Sequence, residues 1–171
     1  MTLIELMIAS VVLIFGMLSI MGLLMLAIGN NGRSKIDSTA TMLTQVVVEQ
    51  VSAKLAGGGP GSITDNANCN NTGTTWTIND NSVPGGSGAN LVGGKIDFTQ
   101  AQGPLVANNY AMNYIECANN VPMDYDVRWN ITPHGTNTYL VTVGARPKSF
   151  KAGRFTFAIP VTMRAYVGDN Q

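Results

Sequence analysis

The chain opens Met1-Thr2-Leu3-Ile4-Glu5-Leu6-Met7-Ile8-Ala9-Ser10 and continues Val11-Val12-Leu13-Ile14-Phe15-Gly16-Met17-Leu18-Ser19-Ile20-Met21-Gly22-Leu23-Leu24-Met25-Leu26-Ala27-Ile28. Leu6 to Ile28 is an uncharged run of about 23 residues, which as a helix covers roughly 34 Å, enough to cross a bilayer. A secretory signal peptide begins with a basic region and closes on a small-residue cleavage site. Here the first cationic side chain is Arg33. The apolar segment is therefore expected to be retained, with a basic leader already removed before Met1.

Glu5 stands out in this setting. A carboxylate at the centre of a membrane helix costs about 2.5–3.5 kcal/mol on insertion scales, and less near the interface. The only cation within the first 32 residues is the α-amine of Met1. Three readings stand on the residues alone. Glu5 pairs with its own chain's amine, one helical turn away. Alternatively it meets the amine of an axially staggered neighbour, and the buried pair then sets register, because removing one partner strands a charge at a cost of about 3–5 kcal/mol. In the third, it lies at headgroup level and favours the helix N-terminus.

Met1-Thr2-Leu3-Ile4-Glu5 followed by an unbroken apolar helix resembles the mature N-terminus of the type IV pilin and type II secretion pseudopilin superfamily. The resemblance covers about the first 30 residues closely and the following helix loosely. Met1 replaces the commoner Phe, and Gly22 stands where many major pilins carry Pro. Val11 to Leu18, with Thr41 to Val51 after it, is most similar to PilV-type pilins. The resemblance implies cleavage by a prepilin peptidase, N-methylation at Met1, and assembly guided by Glu5 with Thr2 beside it. It also implies polymerisation with identical or homologous subunits through an assembly platform. The chain would then be single-pass in the inner membrane first and part of an extracellular filament afterwards. The implied fold is α+β and type IV pilin-like: a long N-terminal helix, its hydrophobic half protruding and its amphipathic half packed on an antiparallel head.

The domain reading follows: 1–32 as the membrane and filament-core helix, 33–171 as the head. Gly16, Gly22, Gly29 and Gly32 punctuate the first part, each costing roughly 1 kcal/mol relative to Ala. Gly16, Ser19 and Gly22 suit close helix packing, while Gly16–Gly22 also suits local melting in a polymer. Gly29-Asn30-Asn31-Gly32 alternatively breaks the helix. Over 33–56 an amphipathic helix is expected, with Ile36, Ala40, Leu43, Val47, Val51 and Leu55 as one stripe facing a sheet. Gly57-Gly58-Gly59-Pro60-Gly61 stops it.

Residues 57–123 read as a Gly- and Asn-rich loop region with short strands, one of them at Thr74-Trp76-Ile78. Cys69 and Cys117 are the chain's two cysteines. In an oxidising compartment they are expected to form one disulfide, the alternative being two buried thiols. Residues 124–171 read as an antiparallel meander. Tyr125, Val127, Trp129 and Ile131 alternate with Asp124, Asp126, Arg128 and Asn130 as a half-buried strand. Pro133 to Asn137 turns the chain, Tyr139, Val141 and Val143 return it, and Phe155, Phe157, Ile159, Val161 and Met163 alternate again around Pro160.

Ten basic and ten acidic side chains balance, and charged residues are 12% of the chain, about half the usual share. No global field attracts nucleic acid or acidic lipid. Locally the bases gather late, from Arg128 to Arg164. For Arg146, Lys148, Lys151 and Arg154 three readings stand: complementary subunit faces, contact with DNA phosphates during uptake, or intramolecular pairing on a solvated face. Nucleic acid is not expected as a main partner. Asn70-Asn71-Thr72 and Asn130-Ile131-Thr132 match the glycan acceptor pattern, a weak signal.

Catalysis is not expected. His134 is the single histidine and lies in a turn, so neither a His-based metal cluster nor a Ser-His-Asp set can be assembled. No phosphate-binding glycine loop occurs. Val167 to Gln171 offers one carboxylate, so no terminal calcium site, other metal or cofactor is expected. The function anticipated is a structural subunit of a type IV pilus serving adhesion, motility or DNA uptake. The alternative is a secretion pseudopilin or a minor, tip-located pilin.

Overall fold

A computed structural model describes residues 2–65, 69, 72–118, 121–149 and 159–168. The chain is α+β: one long N-terminal helix, then an antiparallel sheet. It divides into two compact units, Met1–Ile36 and Asp37–Gln171. In order the elements are α1 (Leu3–Leu55), β1 (Ser62–Thr64), β2 (Thr75–Thr77), β3 (Ser87–Gly88), β4 (Leu91–Val92), β5 (Lys95–Ile96), α2 (Gln102–Ala107), β6 (Ala111–Ala118), β7 (Val121–Pro133), β8 (Thr138–Ser149) and β9 (Val161–Gly168).

In the first unit the helix is unbroken. Gly29-Asn30-Asn31-Gly32 stays helical, so the helix-breaking reading of that run is corrected. No proline interrupts the ladder, and a glycine lowers helix stability without removing a hydrogen bond. Ser10 Oγ donates to the Met7 carbonyl at 2.8 Å, and Ser19 Oγ to the Phe15 carbonyl at 2.9 Å. Both hydroxyls are thus satisfied inside the helix and leave an apolar exterior.

The second unit begins within α1. Ala40, Leu43, Val47 and Val51 are buried along one stripe, with Thr44 beside them. Leu55, expected on that stripe, is only half-buried. A Schellman cap ends the helix: Gly57 N–H donates to the Lys54 carbonyl and Gly58 N–H to the Ala53 carbonyl, with Gly57 at φ +80°. Only glycine adopts that left-handed turn cheaply. Lys54 then anchors the incoming chain, through the Ile78 carbonyl and a 3.0 Å ion pair with Asp80.

The main sheet runs β9–β8–β7, and β6 and β3 share the far edge of β7. One face of β7 carries Tyr125, Val127, Trp129 and Ile131, all fully buried together with Val141 and Val143 of β8. Each such side chain contributes about 1.5–3 kcal/mol by leaving water. Three expectations need correcting here. The sheet's first long strand, β6, begins at Ala111, inside the segment expected to be loop with short strands, because Met112 and Tyr114 alternate inward across from Val127 and Tyr125. The last strand is Val161–Gly168; Ile159 and Pro160 precede it, and Phe155 and Phe157 lie outside the described residues. Finally, the second face of β7 is not open to solvent: Asp126, Arg128 and Asn130 are buried.

Tyr125 gives this core a pH signature. Burial pushes its hydroxyl up from 10.0 to about 12, Thr39 partly offsetting the rise and the negative charges of Glu116 and Asp37 adding to it. The unfolded chain therefore sheds this proton near pH 10 and the folded chain near pH 12. Across that window the folded state binds more protons, so stability falls as pH rises, by at most about 1.4 kcal/mol per pH unit from this group. Denaturation midpoints between pH 8 and 12 should fall more steeply for the wild type than for Tyr125→Phe. Equal slopes would show that the hydroxyl ionises freely.

Candidate functional site

Two places in the chain carry more than packing, and the first is the helix start. Glu5 N–H and Leu6 N–H both donate to the Thr2 carbonyl, at 3.1 and 3.3 Å. Glu5 Oε2 reaches back to accept from the Thr2 N–H at 3.4 Å. Thr-x-x-Glu at a helix start is the capping-box pattern, and Glu5 supplies its reciprocal half. Its negative charge also lies at the positive end of the helix dipole. The contact is long, Glu5 is exposed, and the carboxylate has capacity for further donors. Met1 lies outside the described residues.

Beyond Glu5 the helix offers one kind of surface. Every large apolar side chain from Leu3 to Ile28 is 51–81% exposed. So long an exposed apolar run far exceeds the patches ordinary soluble monomers tolerate, and marks a surface covered by lipid or by protein. Its length and composition suffice to cross a membrane. A Cβ added at Gly16, Gly22, Gly29 or Gly32 would meet nothing within 4 Å. Space within the subunit therefore does not require glycine at these four positions.

The second place is the far face of β7, whose polar residues a half-buried strand would leave in water. Arg128 grips Asp126 with two parallel bonds, Nε to Oδ1 and Nη2 to Oδ2, both 2.9 Å. Its remaining nitrogen, Nη1, donates to the carbonyls of Gln100 at 2.7 Å and Asp97 at 3.2 Å. Arg146, across the ladder on β8, adds a second guanidinium to the same carboxylate at 3.3 Å. The Phe98 ring lies beneath both cations, its centroid 5.2 Å from Arg128 Cζ and 4.8 Å from Arg146 Cζ. Asn130 donates to the Ala89 carbonyl at 2.9 Å. Hydrogen bonds from the Thr99 hydroxyl and amide, and then the Arg128 charge, hold the Asp97 carboxyl below its usual range against some burial. Asp-x-Arg spacing on a strand was the available signal: residues two apart share a face. What the sequence does not reveal is that a loop covers that face.

Several other expected residues are now placed. Cys69 and Cys117 form a disulfide with Cα atoms 5.3 Å apart, tying the Gly-rich segment to the end of β6. Arg146 is committed to Asp126, and Lys148 Nζ donates to Asn113 Oδ1, so these two bases pair within the subunit. Lys151 and Arg154 lie outside the described residues, as does Asn70. Asn130 is buried, and a glycan there would displace its bond to Ala89. His134 is exposed in the β7–β8 turn, its ring 5.4 Å from that of Tyr166. Among the described residues no group of three or more His, Cys, Asp or Glu side chains is placed to hold a metal ion.

No protein-family model, curated protein or solved structure matches this chain.

Proposed function

We propose that this chain is a structural subunit of a type IV pilus-like filament, with a pilin-like fold, built by packing its N-terminal helices against those of other copies. The observation that carries this reading is one helix whose whole circumference from Leu6 to Ile28 is apolar and exposed, introduced by a single carboxylate at Glu5. Before assembly the inner membrane covers that surface; afterwards neighbouring helices do. Glu5 exchanges its long contact with Thr2 for the terminal amine of an adjacent copy, which fixes the stagger between rods. The disulfide-tied head faces outward, where the filament serves adhesion, motility or DNA uptake.

Immuno-electron microscopy of cells producing the chain tests this. Label along extended surface fibres is expected. Label confined to the envelope would reduce the chain to an anchored surface domain, and label only on short stubs or fibre tips would point to the pseudopilin or minor-pilin role.

A further inference from the structure

We propose that Ser87–Gln100 is a lid over the polar face of the sheet, opening as a unit, with Asp126, Arg128 and Arg146 as its clasp.

The lid is attached to the main sheet more loosely than β6, β8 and β9 are. Its strand pairing to the sheet is two residues long, Ser87 with Ile131 and Gly88 with Asn130, and β4 pairs only with β5 inside the lid. One further backbone bond runs from the Ala89 N–H to the Trp129 carbonyl at 2.9 Å, and the remaining hold comes largely from sheet side chains: Arg128 on two lid carbonyls, Asn130 on a third, and both guanidiniums on the Phe98 ring. Ile96 and Ala89 add a small apolar contribution. What the lid covers is polar, namely Asp126, Arg128, Asn130 and Thr142, whose hydroxyl has no partner when buried. Opening returns these groups to water. A buried ion pair yields little net stability over its hydrated form, so uncovering it costs far less than uncovering the Trp129 face.

The lid also holds itself together. Asp97 N–H donates to the Asn90 carbonyl, Asn90 N–H to Gln100 Oε1, and Thr99 caps the Asp97 carboxylate through both its amide and its hydroxyl. These bonds lie entirely within the segment and survive its displacement. At its entry Gly85 and Gly86 both sit at φ +95°, a backbone state from which glycine departs at little cost. The clasp is asymmetric, since one carboxylate serves two guanidiniums. When the lid leaves, Asp97 goes with it, and the bared face keeps Arg128, Arg146 and Arg164, which lies against Gly94 of the lid, around the single carboxylate of Asp126.

Native-state hydrogen exchange on the full chain in detergent micelles, at low denaturant, reads this directly. The amide of Ala89, whose bond to the Trp129 carbonyl of β7 breaks when the lid leaves, is expected to exchange at least ~10-fold faster than those of the β7–β8 ladder, with almost no dependence on denaturant, as a local opening should. Arg128→Lys, which keeps the charge but loses the two-pronged grip, should raise lid exchange by a further ~10-fold and leave the ladder unchanged. Should that variant fail to fold, Phe98→Leu loosens the clasp from the lid side and carries the same expectation. Lid and ladder amides sharing one rate and one denaturant slope in the wild type would overturn the proposal. So would a variant that accelerates both together.

Discussion

Glu5→Ala is expected to lower the yield of sheared filaments by about 100-fold or more, with membrane insertion and head folding intact. On the proposed packing the substitution leaves a neighbour's amine buried and unpaired, which costs about 3–5 kcal/mol at each contact. The competing explanation is local. Glu5 also accepts from the Thr2 amide, and losing a cap costs roughly 0.5–2 kcal/mol of helix stability. Glu5→Gln separates the two, because glutamine still serves a capping box but carries no charge. If pairing between subunits governs assembly, Gln fails as Ala does. If capping governs it, Gln restores the filament.

Replacing both Cys69 and Cys117 by Ser should destabilise the head by about 4 kcal/mol, the chain-entropy value for a loop of this size. The two cysteines are 48 positions apart, and the segment between them is rich in glycine and asparagine and holds only short elements before β6. Without the tie that segment gains most of its freedom in the unfolded chain. The midpoint of thermal unfolding should drop on the order of 10 °C. A shift within one or two degrees would mean that the β1–β2 pairing and the Asp65 contacts already hold the segment. Asp65 accepts from the Thr74 amide at 2.6 Å and from the Trp76 indole at 3.0 Å.

The long helix was legible because two independent patterns meet in it. Charge vanishes between Glu5 and Arg33, and from Ile36 the apolar residues recur every three or four positions. The return strand through Val141 and Val143 was legible by simple alternation. β7 is half legible: alternation points Tyr125, Val127, Trp129 and Ile131 to the core, and it would leave Asp126, Arg128 and Asn130, which are in fact buried, in water. Alternation shows which residues share a face, and it is silent on what covers the other one. The cover is Ser87–Gln100, whose buried members are Ala89, between Gly88 and Asn90, and Ile96, between Lys95 and Asp97, too isolated to set up a period. The close fit also hides in a glycine. A Cβ at Gly144 would come within 2.9 Å of Ile96, so β8 admits the lid only where it lacks a side chain. β6 is hard to read for a related reason: Asn113 and Glu116 dilute an inward pair, Met112 and Tyr114, that is too short to announce a strand.

The stagger between adjacent helices is where the filament reading is most exposed to test, and cryo-electron microscopy of sheared filaments, at side-chain resolution, measures it. Expected is this chain as the repeating subunit, with the Glu5 carboxylate within about 4 Å of the terminal nitrogen of a neighbouring copy. Fibres built from another protein would contradict it. So would Glu5 still resting on Thr2 of its own chain, with no cation from any neighbour in reach.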